Sequence, residues 1–223
     1  MNRYKCLCLD HDDTVVNSTA TIHYPSFVEF MKIYRPALAD RYSLDDYFRL
    51  NFDPGIMGLF LDVIGLSEQE MREEEAFWAE YVRGHTPVAY PGFAALLARF
   101  REEGGLIVVD SHSYSWNIER DYRANGLPMP DVIYGWDLPP AQRKPSPYTL
   151  FELMRRYDLA PSDILVVDDL RPGFEMASAA GVDFAAAGWA HHVPAIASFM
   201  KENATYFLPT VESLAGVLFE KES

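Results

Sequence analysis

Apolar and polar positions divide the chain into stretches of different period. Tyr4 to Leu9 is apolar apart from Lys5 and stops abruptly at Asp10-His11-Asp12-Asp13-Thr14. That pattern predicts a buried strand delivering polar side chains to the edge of a sheet. From Ser18 to Pro87 the spacing is helical. Phe27, Phe30, Met31 and Tyr34 recur before Pro36, and Tyr47, Leu50 and the run from Met57 to Ile64 continue the pattern. Ser67-Glu68-Gln69-Glu70 is a capping-box signature, and its helix carries Met71, Phe77, Trp78, Tyr81 and Val82 before stopping at Gly84. No strand pattern falls inside this stretch, so it reads as a helical insert, with Phe52, Trp78 and Tyr81 in its own core.

After Tyr90-Pro91-Gly92 the period alternates. Strands are predicted at Leu106 to Val109, Asp131 to Tyr134, Ile164 to Val167, Val182 to Ala185 and Tyr206 to Leu208. Helices are predicted from Phe93 to Phe100, Tyr114 to Asn125, Pro147 to Tyr157 and Gly173 to Ala180, then from Pro194 and from Val211. Strands alternating with helices imply parallel pairing through right-handed crossovers. The C-terminal strand ends then lie along one edge, where residues distant in sequence converge. Strand one brings Asp10 and Asp12 there. The strand after Gly105 brings Asp110-Ser111-His112-Ser113, and the strand from Ile164 brings Asp168-Asp169. Lys144 lies in the loop before the helix at Pro147. Alone, Ser111 and the Asp168-Asp169 pair would read as helix caps and Lys144 as a solvated lysine; their joint placement on one edge points to a site.

By strand alternation Asp10 and Asp12 point one way and Asp13 the other. Two carboxylates facing one small volume imply a metal ion, a proton-transfer role, or both. Asp10, ionised, could attack an electrophile, and Asp12, if held protonated, could hand a proton to a leaving group.

Composition narrows the partners. With 19 Lys and Arg against 33 Asp and Glu, the net charge of −14 argues against nucleic acid, because phosphate binding depends on clustered Lys and Arg. No apolar run is long enough to span a membrane. The chain enters its first strand almost at once, leaving no room for a signal peptide, so a cytoplasmic location is expected. Cys6 and Cys8 point to the same side of one strand, where a disulfide is implausible, and read as small core residues. His191-His192 reads as a loop pair, because no third metal ligand is evident.

Asp10-His11-Asp12-Asp13-Thr14 followed by Val15-Val16-Asn17-Ser18 resembles motif I of the haloacid dehalogenase (HAD) superfamily, Asp-x-Asp-Gly-Thr-Leu/Val. Asp13 stands where the family usually has Gly. Ser111 resembles the hydroxyl of motif II, with Asp110 where an apolar residue is usual; which of the two takes the motif II position is left open. Lys144 in Lys144-Pro145-Ser146-Pro147 resembles motif III, and Asp168-Asp169 the Asp-Asp form of motif IV. Pro91-Gly92 matches the Pro-Gly before the second helix.

The resemblance implies an α/β fold: a HAD-like doubly wound parallel sheet (Rossmannoid core) over 1–17 and 88–223, with an inserted helical C1-type cap domain over 18–87. The position of the insert is that of the phosphoglycolate phosphatase and β-phosphoglucomutase branch. The implied activity is a Mg²⁺-dependent phosphatase acting on a small phosphorylated metabolite through an aspartyl phosphate. Asp10 would be nucleophile and Asp12 acid and base. Lys144 would hold Asp10 and a phosphate oxygen, and Ser111 would bind another. The metal would take Asp10, the carbonyl of Asp12 and Asp169, with Asp168 as a further or outer ligand. Arg49, Asn51 and Phe52 are candidate substrate contacts from the cap, and a monomer or homodimer is expected. The alternatives are a phosphosugar mutase of the same superfamily and a non-catalytic HAD-like binding protein with a decayed site. A dehalogenase would have no use for Asp12 or the metal. In a receiver-type signalling module the acidic pair would follow the first strand, in a chain near half this length.

Overall fold

In the computed structural model, which describes residues 2–219, the first apolar run becomes β1 (Cys6–Leu9). It lies between β4 (Leu106–Asp110) and β6 (Ile164–Asp168) and pairs parallel with both. β5 (Val132–Tyr134) flanks β4, while β7 (Asp183–Ala187) and β8 (Tyr206–Leu208) extend the other side. The six-stranded sheet runs β5-β4-β1-β6-β7-β8, parallel throughout. Residues 1 and 220–223 of the expected core range lie outside the described residues.

Strand alternation sets the two layers. Leu7 and Leu9 face α5 (Phe93–Glu102) and α6 (Ser115–Ala124), packing with Phe93, Leu97, Phe100, Ile118 and Tyr122. Cys6 and Cys8, buried and unbridged as expected, face α7 (Tyr148–Tyr157) and α8 (Arg171–Ala180) through Leu150, Leu153, Met176 and Ala177. Each such large apolar side chain contributes about 1.5–3 kcal/mol by leaving water. Helices α9 (Pro194–Asn203) and α10 (Val211–Leu218) complete the layers.

Two features had no periodic signal. The two-residue strands β2 (Val16–Asn17) and β3 (Val88–Ala89) pair antiparallel, drawing together the ends of the helical insert. Within it lie α1 (Tyr24–Tyr34), α2 (Leu44–Phe52), the short α3 (Ile56–Gly58) and α4 (Glu68–Arg83). Wide π-type turns at Thr19–His23 and Leu59–Ile64 interrupt this pattern. The predicted capping box opens α4: the Ser67 hydroxyl accepts from the Glu70 amide, and the Glu70 carboxylate accepts from the Ser67 amide.

Phe27, Phe30, Met31, Leu59, Phe60 and Ile64 form the insert's own core. Phe52 and Trp78, expected there, turn toward the sheet domain instead. Phe52 packs edge-on against Phe199, its ring centre 5.2 Å away, and Trp78 lies 5.9 Å from Tyr114. Their large rings serve the seam between insert and sheet, which periodicity within one segment does not reveal. Tyr81 stacks on Phe77 and His85.

Candidate active site

The parallel sheet ends its strands on one edge, and the edge is acidic. β1 stops at Leu9, leaving Asp10 just beyond it; β4 ends in Asp110 and β6 in Asp168. Lys144 reaches in from its loop, with Nζ 2.7 Å from Asp10 Oδ1 and 2.6 Å from Asp168 Oδ2. All three side chains are buried. The Leu170 amide donates to Asp168 Oδ1 at 2.8 Å, so both Asp168 oxygens are engaged. Asp169 is the opposite case: Oδ1 and Oδ2 are buried with no hydrogen-bond partner.

One oxygen each from Asp10, Asp168 and Asp169 lie within 4.8 Å of one another. An unpaired buried carboxylate costs far more than a paired one, and a single lysine does not balance three acids. The orphaned Asp169 oxygens and the all-oxygen donor set therefore fit a hard divalent cation such as Mg²⁺. Asp10 and Asp169 keep oxygens free for it, whereas Asp168 serves Lys144 and the backbone, in keeping with an outer role.

Protonation follows the same charges. Burial, reinforced by Asp168 and Asp12 and opposed by Lys144, pushes Asp10 up to about 7. Burial followed by Asp13, Asp168 and Asp10 raises Asp169 well above the carboxylate range. A carboxyl with a raised folded-state value stabilises the fold fully at low pH and loses that contribution as pH rises through the folded value. The cation-free protein should therefore melt lower at pH 8 than at pH 5.5. Saturating Mg²⁺ should raise Tm more at pH 8, because protons then compete less for the same oxygens; equal shifts in thermal scans would count against this site.

Asp12 behaves differently from the expected proton donor. Its Oδ1 accepts from Ser18 Oγ at 2.8 Å and His23 Nε2 at 2.9 Å, and its Oδ2 accepts from Ser113 Oγ at 2.6 Å. Burial works to raise its pKa, but His23, with His11 and Ser113, holds it well below the usual range. Three hydrogen bonds from Ser18, His23 and Ser113 favour the carboxylate form of Asp12. Trp78 Nε1 donates to His23 Nδ1 at 3.0 Å, which leaves the proton on Nε2, facing Asp12.

The residues between and after the two acids tie the insert to motif I. His11 Nε2 lies 3.0 Å from Asp121 Oδ2, both fully buried. The Arg120 guanidinium bonds Asp121 Oδ1 and donates to the carbonyls of Val82 at 2.5 Å and His85 at 2.9 Å, where the insert ends. Asp13 takes a left-handed φ of 59°, which the family's Gly adopts freely, and its Oδ1 accepts from the Thr19 amide at 3.2 Å. The departure at Asp13 thus fastens the start of the insert.

In motif II, the Asp110 carboxylate is buried and occupied by the Thr149 hydroxyl beneath the sheet edge. Burial, against the pull of Lys144, pushes it up to about 6. The Ser111 Oγ accepts the Ser113 amide at 3.1 Å and gives its own proton to no protein group among the described residues. Ser111, not Asp110, therefore has a hydroxyl to offer a ligand.

The insert closes over this edge from two sides. Glu75 on α4 accepts from Tyr114 Oη at 2.5 Å and Trp136 Nε1 at 3.0 Å, and Asp53 receives Arg171 at 3.1 Å. Of the three candidate contacts on the insert, Phe52 lies in this seam. Asn51 donates to the Tyr47 carbonyl at 2.8 Å, and Arg49 is exposed with its guanidinium on Asp46. Three site groups were absent from the expected set: Ser113, His23 and His191. His191 lies in the loop after β7, on the same edge as the acids, with Nε2 3.8 Å from Asp169 Oδ2; burial pushes it down to about 4. Ser113 belongs to a strand-end run already singled out, so placement on the edge was its signal. His23 is brought in only by the wide turn.

No curated protein sequence matches the chain. Solved structures share its fold. A proposed phosphoglycolate phosphatase from Lactobacillus plantarum superposes with a TM-score of 0.75 at 21% identity, over 96% of this chain and 99% of that one. A haloacid dehalogenase-like family hydrolase from Streptococcus pneumoniae gives 0.71 at 18% identity, over 96% and 98%. CbbY from Rhodobacter sphaeroides in complex with phosphate gives 0.63 at 22% identity, over 82% and 85%. The family model for haloacid dehalogenase-like hydrolases matches residues 4–181, from the first strand to the end of α8. With motifs I to IV converging on one acidic edge, the chain belongs to the haloacid dehalogenase-like hydrolases.

Proposed function

We propose that the protein is a Mg²⁺-dependent phosphatase of small phosphorylated metabolites, with residues 18–87 as a cap over a core formed by 1–17 and 88–223. The observation that carries this reading is Lys144 bonded to Asp10 and Asp168 beside the unpartnered carboxylate of Asp169. Four separated segments supply what transfer of a phosphoryl dianion to a carboxylate requires. Mg²⁺, when bound, would neutralise charge on the phosphate so that a carboxylate can approach it.

Lys144 holds Asp10 by Oδ1, and from that position Oδ1 attacks phosphorus in line to form an aspartyl phosphate as the bond to the leaving alcohol breaks, while the other oxygen remains the one available to a cation. The same ammonium and the Ser111 hydroxyl are placed to bind phosphate oxygens. An arriving phosphate adds negative charge beside Asp12, which favours its protonated form and equips it to protonate the leaving alcohol. As the carboxylate it then takes a proton from the water that hydrolyses the aspartyl phosphate. The phosphate held by CbbY and the activity proposed for the L. plantarum protein support this reading by analogy. The test is a panel of phosphomonoesters with Mg²⁺. Turnover of at least one, abolished by excess EDTA and restored by added Mg²⁺, is expected; inertness toward all of them would overturn the assignment.

A further inference from the structure

The loop after β7 carries a group that the reaction as described does not use. His191 Nε2 is buried, has no hydrogen-bond partner, and lies 3.8 Å from Asp169 Oδ2, itself buried and unpartnered. Two complementary orphans 3.8 Å apart, too near for a water molecule to bridge in line, are an unfinished contact, because each is costly alone. The tautomer favours closing it. His191 Nδ1 accepts the Val193 amide at 3.5 Å, so the ring proton sits on Nε2, pointing toward the carboxylate. On its other side the ring meets Phe48 of α2, with ring centres 4.7 Å apart. His191 is thus held between the helical insert and a carboxylate of the metal site.

We propose that His191 is a positioning residue for the divalent cation. It donates from Nε2 to one oxygen of Asp169 and so aims the other oxygen at the metal, with Phe48 holding the imidazole in place. An imidazole donating to a metal-bound carboxylate fixes that ligand's orientation, and loss of such a partner typically weakens metal binding about 10–100-fold. The arrangement also links metal affinity to the insert, since Phe48 covers His191 only while α2 rests on the loop. The inference rests on the Mg²⁺-dependent reading above.

The test is the Kd for Mg²⁺ by isothermal titration calorimetry on the full chain, independent of any substrate. His191→Ala is expected to weaken Mg²⁺ binding by at least about tenfold. His191→Gln, which keeps a donor, should recover part of the loss, and His191→Phe, which keeps a ring against Phe48 without a donor, should not. Phe48→Ala should shift Kd in the same direction by less. His192→Ala, at an exposed neighbouring position, serves as the control. An unchanged Kd in His191→Ala, or full retention in His191→Phe, would overturn the proposal. A loss confined to Mn²⁺ or Co²⁺ with Mg²⁺ unaffected would make His191 a direct ligand and overturn it equally. Absence of Mg²⁺ binding by the unsubstituted protein would instead sink the metal-dependent reading itself.

Discussion

Asp10→Asn is expected to lower phosphatase turnover by at least about 10⁴-fold while making the cation-free protein melt at a higher temperature. The first effect follows from removing the attacking group, since an amide of the same shape is a poor nucleophile toward phosphorus. The second follows from the crowd around it. Asp10 is pushed up to about 7 because burial, Asp168 and Asp12 oppose its charge more than Lys144 supports it. At pH 8 the folded protein holds that charge against its surroundings, and the neutral amide releases the strain while its oxygen still accepts from Lys144. At pH 5.5 Asp10 is already protonated, so the gain in Tm should shrink. Melting curves at the two pH values, beside turnover of the phosphoester identified by the panel, check both halves. Retained turnover, or a lower Tm at pH 8, would contradict this account of the residue.

Lys144→Met should do harm on both counts. The ammonium donates to Asp10 and Asp168 from a buried position, and methionine fills similar volume without charge. Breaking a buried ion pair by removing one partner costs about 3–5 kcal/mol, because the remaining charges stay buried and repel. Turnover should fall by about 10²–10³-fold as well, since the same group is placed to steady the phosphoryl oxygens. Urea denaturation in EDTA measures the first effect. The double variant Lys144→Met/Asp10→Asn separates the two: if like-charge repulsion dominates, it regains much of the stability and none of the turnover.

The sheet was legible because parallel strands are buried on both faces and read as unbroken apolar runs. Leu106 to Val109 and Ile164 to Val167 announce themselves, and each observed strand extends one residue further to its terminal Asp. The acids and Lys144 were legible for the same reason: once strands are placed, their C-terminal ends share an edge. What escaped depends on tertiary contact. β2 and β3 are too short to carry a period, and the turn at Thr19–His23 has no signature that would bring His23 to Asp12. Arg49 drew attention as a cation near a loop, yet an acid three residues earlier on the same helix claims it at the surface. His191 looked inert as one of a pair, because the acid it faces, Asp169, lies on a different strand end.

The fastening of the insert to the first motif has a mechanical consequence. Its first residues, Ser18 and Thr19, are held by Asp12 and Asp13, and its end, at Val82 and His85, is held by Arg120 in line with Asp121 and His11. Three consecutive side chains of one short loop, His11, Asp12 and Asp13, therefore connect to both ends of the insert. Any displacement of the insert would therefore pull on the residues next to Asp10, so its position is coupled to the acidic edge.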